Sequence, residues 1–133
     1  MKITKKELKN LKGESKLKNA VVEVYLNYYS EEIDLLMQDV VTYGLSGGTL
    51  GEFIYYTDTV SFFNKYENEI TELLKETLNS YGYNSPKELF GKKWDEEDFF
   101  CKEKLNKNLL CWFAVEEITR ELLNNLNNLN IDY

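Results

Sequence analysis

Apolar residues recurring at helical spacing, in one segment after another, constrain this chain more than any other feature. Between Glu14 and Tyr29 the set Leu17, Ala20, Val21, Val24, Tyr25 and Tyr28 falls at i, i+3, i+4, i+7, i+8 and i+11, which is one face of an α-helix. Ser30 reads as the cap of a second helix, with Glu31, Glu32 and Asp34 near its positive end. Ile33, Leu36, Met37, Val40 and Val41 are its expected buried stripe. A long helix follows from about Val60 to Tyr81, capped by Asp58 or Thr59 and ended by Gly82, with Phe63, Tyr66, Ile70, Leu73, Leu74, Thr77 and Leu78 on its inner face. The last runs from about Lys107 to Leu129 and buries Leu109, Leu110, Trp112, Phe113, Ile118, Leu122, Leu126 and Leu129. No segment alternates as a strand would, and no repeat is visible.

The punctuation between these segments is equally informative. Tyr43 to Phe63 holds Gly44, Gly47, Gly48 and Gly51 within eight positions, followed by a dense aromatic run. A phosphate loop is excluded, because a Walker sequence needs a lysine there and none lies between Lys18 and Lys65. A dinucleotide loop is excluded as well, since the preceding element is helical. The glycines therefore read as tight turns and close helix approach. Thr49-Leu50-Gly51-Glu52 and Ser85-Pro86-Lys87-Glu88 both match the capping box, the second with proline at the first helical position and Gly91 as its stop. The expected fold is all-α: a compact single-domain bundle of five to seven helices of unequal length, with a Gly-rich turn near residues 44–51. Residues 1–18 form a basic N-terminal arm, in which Ile3, Leu8 and Leu11 mark a weakly amphipathic helix over 3–12 that Gly13 interrupts, read as a solvated, frayed terminus; residues 19–133 form the single helical domain.

Charge divides the chain the same way. Residues 1–18 carry seven lysines against Glu7 and Glu14, a net of +5, while the whole chain is at −7. The remainder is therefore at −12, an acidic body that disfavours nonspecific nucleic-acid binding. Arg120 is the only arginine, which removes most of the bidentate contacts that sequence-specific DNA readers use. The sequence has no histidine, so Ser-His and Cys-His nucleophile arrangements are closed, as are the usual zinc hydrolase sites. Carboxylate-pair catalysis stays formally open, but no spacing selects a pair. The expectation is no enzyme, no cofactor and no metal. No run of 18 apolar residues is present. Two cysteines without a C-x-x-C and without a visible export signal fit the cytoplasm of a bacterial cell.

The stretch from Tyr28 to Glu121 is similar to a family of small proteins of unknown function from phages, plasmids and integrated elements of Firmicutes and related bacteria. The match is carried by Tyr43-Gly44 with Ser46-Gly47, by Ile54-Tyr55-Tyr56-x-Asp58-Thr59-x-x-Phe62-Phe63, and by Glu69-Ile70. Ser85-Pro86-x-Glu88-Leu89-Phe90 and Lys107-Asn108-Leu109-Leu110-x-Trp112-Phe113, with Glu116-Glu117, complete it. The chain departs at Cys111, where a small residue such as Ala is expected, and at Thr49, where an apolar one is. The resemblance transfers no catalytic residues. It implies a setting in which small acidic proteins counter host defence.

Four readings follow. First is a stoichiometric inhibitor of a host defence nuclease (a CRISPR effector or restriction enzyme), acting through acidic helices that occupy a Lys/Arg-rich channel. Its candidate binding residues are Glu67, Glu69, Glu72, Glu76, Asp95, Glu96, Glu97 and Asp98, with Tyr55 and Tyr56 as anchors. Second is a non-catalytic interaction module that self-associates, as a homodimer, through the Tyr-rich centre or the C-terminal helix. Third is a small-molecule binder at the glycine turn, and last a DNA-binding lysine arm.

Overall fold

The Thr4-Lys5-Lys6-Glu7 tetrapeptide opens the first helix as a T-x-x-E sequence allows. The Thr4 hydroxyl accepts from the Glu7 amide at 3.1 Å, and the Glu7 carboxylate accepts from the Thr4 amide at 3.1 Å. This box fixes α1 (Lys5–Lys9), and the burial of Ile3 and Leu8 docks it. The computed structural model describes residues 3–27, 33–43, 59–94 and 105–131. The fold is all-α: among the described residues there are seven α-helices, one 3-10 turn and no strand. The Ser30 cap, the Gly-rich turn of residues 44–51, the capping box at Thr49 and the acidic run Asp95–Asp98 lie outside the described residues.

By contact density the chain divides into two compact units, Met1–Phe53 with Val115–Tyr133, and Ile54–Ala114. The first holds α1, α2 (Lys16–Asn27), α3 (Ile33–Tyr43) and the C-terminal part of α7 (Leu105–Ile131). Gly13 separates α1 from α2, and the turn is clamped on both sides. The Gly13 amide donates to Asn19 Oδ1 at 2.9 Å, and Asn19 Nδ2 returns a bond to the Gly13 carbonyl at 2.8 Å. Ser15 Oγ accepts from the Lys18 amide at 3.1 Å, a cap for α2. Residue 18 therefore falls inside a helix, whose buried side is Leu17, Val21, Val22 and Tyr25. Val22 is not on the single face read from the sequence, and its burial means α2 is covered on more than one side. At the centre of this unit the Tyr25 hydroxyl and Thr119 Oγ1 share a hydrogen bond of 2.7 Å with both residues fully buried, so neither polar group is left unsatisfied.

The second unit holds α4 (Thr59–Lys65), α5 (Glu67–Tyr81), α6 (Pro86–Phe90), a 3-10 turn (Gly91–Trp94) and the N-terminal part of α7. Here the structure corrects the expectation of one helix from Val60 to Tyr81. Tyr66 leaves the helical region (φ −116°, ψ 23°) and divides it. Its amide is shared between the Phe62 and Phe63 carbonyls at 3.2 Å each, as at many helix ends, and its own carbonyl starts α5 by accepting from Ile70 at 2.9 Å. The Tyr66 ring lies against Phe62, with centroids 5.0 Å apart. Neither Gly nor Pro marks this break, and the apolar spacing continues through it, so the periodicity conceals it. The expected C-terminal end does hold: Gly82 takes a left-handed conformation (φ 72°), and the Tyr83 amide bonds the Leu78 carbonyl across it at 2.9 Å.

Pro86 occupies the first turn of α6 as expected, but Ser85 makes no side-chain cap. The Glu88 carboxylate instead accepts from the Asn84 amide at 3.2 Å, one residue before the expected position, so only half of a box is made. Phe90 then stacks near-parallel and offset on Trp94 (5.8 Å) and lies edge-on to Phe113 (5.7 Å), geometries that suit aromatic quadrupoles. Among the described residues no helix is long and apolar enough to cross a membrane.

Candidate functional site

Four of the ten residues read as a partner-binding set lie on α5, and the helix decides how they share its surface. Ile70 and Leu74 are its buried residues. At about 100° per residue, Glu69, Glu72 and Glu76 fall within roughly 60° of one another on the side away from that pair. Glu67 falls on the flank, nearer the buried side. Glu67, Glu72 and Glu76 are exposed and Glu69 is half-buried. Three of the four carboxylates thus form one strip, and the fourth lies about 140–180° round the helix from it, in the first turn, where negative charge complements the positive end of the helix dipole. The other six, Tyr55, Tyr56, Asp95, Glu96, Glu97 and Asp98, lie outside the described residues.

The strip's electrostatics follow from its spacing. Glu72 and Glu76 are i,i+4 neighbours of like charge, an arrangement that costs an isolated helix a few tenths of a kcal/mol. Lys75 is the only basic residue in the helix, and it is exposed. What carries the helix despite this repulsion is its inner side, where Thr77 Oγ1 also satisfies itself by donating to the Leu73 carbonyl at 2.9 Å. A convex line of carboxylates on a rigid helix is suited to meeting a cationic surface. At the helix end, Tyr81 of the last turn and Tyr83 just past Gly82 stack at 5.5 Å and are both exposed. The sequence reading used Tyr81 as an inner-face residue. It is instead 61% exposed.

Three reactive or charged groups elsewhere among the described residues are occupied or shielded. Burial pushes the Cys111 thiol up to about 12, so its nucleophilic thiolate is scarce near neutrality. It is fully buried, where a thiol behaves as a small apolar side chain. Burial also raises the Tyr25 phenol well above its ordinary range, and the Thr119 hydrogen bond only partly opposes this. The lone Arg120 is engaged along its own helix, with Glu117 at 3.3 Å and Glu116 at 3.8 Å. Among the described residues no three Asp, Glu or Cys side chains converge as metal ligands.

Comparison with known proteins gives one match. A family model described as a domain of unknown function (DUF7222) covers residues 14–128. No curated protein and no solved structure matches the chain.

Proposed function

The chain belongs to the DUF7222 family, a domain of unknown function, and from that premise we propose that it acts by binding and not by catalysis. The observation that carries this reading is the strip Glu69, Glu72 and Glu76 on α5, with Glu67 in the first turn of the same helix and a single lysine in it. Its partner is a protein whose Lys/Arg-rich channel ordinarily holds nucleic acid, and the strip occupies that channel in place of phosphates. The resemblance to mobile-element proteins makes a host defence nuclease, a CRISPR effector or a restriction enzyme, the first partner to test. The protein is then a stoichiometric inhibitor of that nuclease.

The test is capture of nucleases from host lysate on the tagged chain at low and high salt, followed by a cleavage assay on whatever is captured. A nuclease retained at low salt, released at high salt and inhibited near one-to-one supports the reading. Changing Glu67, Glu69, Glu72 and Glu76 together to Lys should abolish inhibition while leaving helix content unchanged by circular dichroism. Inhibition that survives this change rules the mechanism out.

A second reading, a self-associating interaction module, is favoured by the exposed Tyr81–Tyr83 stack, since an exposed aromatic pair with polar tips suits an interface. It predicts a molar mass that rises with concentration in light scattering and falls back to the monomer in Tyr81→Ser.

A further inference from the structure

The lysines ahead of the family match are not scattered over a loose end. Lys5, Lys6, Lys9 and Lys12 line one open groove of about 580 Å³, with Glu23 and Leu26 of α2 as its other wall. That size lies within the roughly 300–1,000 Å³ of ligand clefts. Lys5 and Lys9 are separated by one helical turn, a rise of about 6 Å, and Lys6 sits beside them. The groove has one carboxylate, Glu23, and that one is paired with Lys12. Lys5, Lys6 and Lys9 make no ion pair with any described residue. The segment is held rigidly enough to present them: Thr4 and Glu7 cap it, Leu8 and Ile3 anchor it, and Asn19 clamps the turn that follows.

We propose that this groove binds the phosphate backbone of a single nucleic-acid strand without regard to sequence. Three uncompensated ammonium groups within one turn repel each other, and successive phosphates relieve that repulsion while counterions are released. Lysines are point charges without the planar fork that reads base edges, so the contact is to backbone and not to sequence. A bilayer is the poorer fit, because Ile3 and Leu8 are turned inward and are not free to insert. The net charge of −7 confines the attraction to this groove. This inference is independent of the acidic strip.

The experiment is fluorescence anisotropy of a labelled single-stranded oligonucleotide with the full chain across a salt series. The native chain should bind with a steep dependence of log K on log salt. In the triple variant Lys5→Gln, Lys6→Gln, Lys9→Gln, that slope should shrink by roughly 2, at about 0.7 per lost phosphate contact on a single strand. Lys75→Gln with Lys87→Gln, outside the groove, should leave it unchanged. Glu23→Gln removes the only carboxylate and should tighten binding, a gain that loss of folding cannot imitate. Binding unaltered by the triple variant, or weakened equally by the distant pair, overturns the proposal. So does an inorganic tripolyphosphate that binds the groove while the oligonucleotide does not, which would make the site one for small phosphates.

Discussion

Two like-charged strips, built from opposite charges, are set on opposite kinds of surface. On α5 the carboxylates of Glu69, Glu72 and Glu76 stand on the convex outside of a helix of 15 residues. On α1 and the turn after it, the lysines border a hollow whose far wall is α2. The cost is similar in both, since neighbouring like charges on a helix repel. The support differs. The α5 strip is underwritten by its own helix, whose inner side buries Ile70 and Leu74 and whose end is closed by Gly82. Helix α1 has only five residues, too short to be stable alone, and it exists because a cap and two buried side chains hold it to α2. A convex strip can enter another molecule's channel, whereas a concave one can receive a strand.

The comparison is sharpened first by removing each anchor. Leu8→Ala and Ile70→Ala each delete a fully buried side chain, and each should lower the unfolding free energy by about 2–5 kcal/mol in urea titrations. Amide exchange should separate them: Leu8→Ala loosens α1 and loses oligonucleotide binding, while Ile70→Ala loosens α5 and loses partner capture. If either variant loses both activities, the two strips are not independent and the contrast fails.

A smaller effect is expected at the end of α5. Nothing lies within 4 Å of a Cβ built on Gly82, so only its positive φ resists substitution. Gly82→Ala should therefore cost about 1–2 kcal/mol, and Gly82→Asn less, read as shifts of the urea midpoint. Equal costs for the two would mean that the left-handed conformation is not what closes the helix. The smallest effect is Thr4→Ala, about 1 kcal/mol or less. It should speed amide exchange at Glu7 with little change in the global midpoint. An exchange rate unchanged at Glu7 would remove the cap from the account of α1.

Much of the fold was legible because helical burial leaves a periodic trace. The stripes at Ile33, Met37 and Val40, at Ile70 and Leu74, and at Leu109, Phe113, Ile118, Leu122 and Leu126 are all buried as read. The break at Tyr66 was not legible, since one residue's dihedral change leaves the spacing on either side in phase. Val22 was missed because it lies about 60° past the edge of the main stripe; Thr119 lies within the stripe, between the directions of Leu126 and Trp112, and was missed because a polar residue leaves no apolar trace there. The residues that carry the family resemblance explain why it gives fold without role. Among them Phe62, Phe63, Ile70, Phe90, Leu109 and Phe113 are buried, and those positions describe packing.

The sequence by itself determined that the chain is helical, where Gly82 and Gly91 stop its helices, and that positive and negative charge are segregated along it. Those properties are local: they depend on spacing, capping and side-chain type within a few residues. Only the tertiary structure decided that the basic segment is docked, that its lysines border a groove, and that Tyr25 finds its partner 94 positions away at Thr119. These depend on which distant surfaces meet. A charged residue's neighbours across a groove, unlike its neighbours along a helix, are set by the burial of other residues, here Ile3 and Leu8.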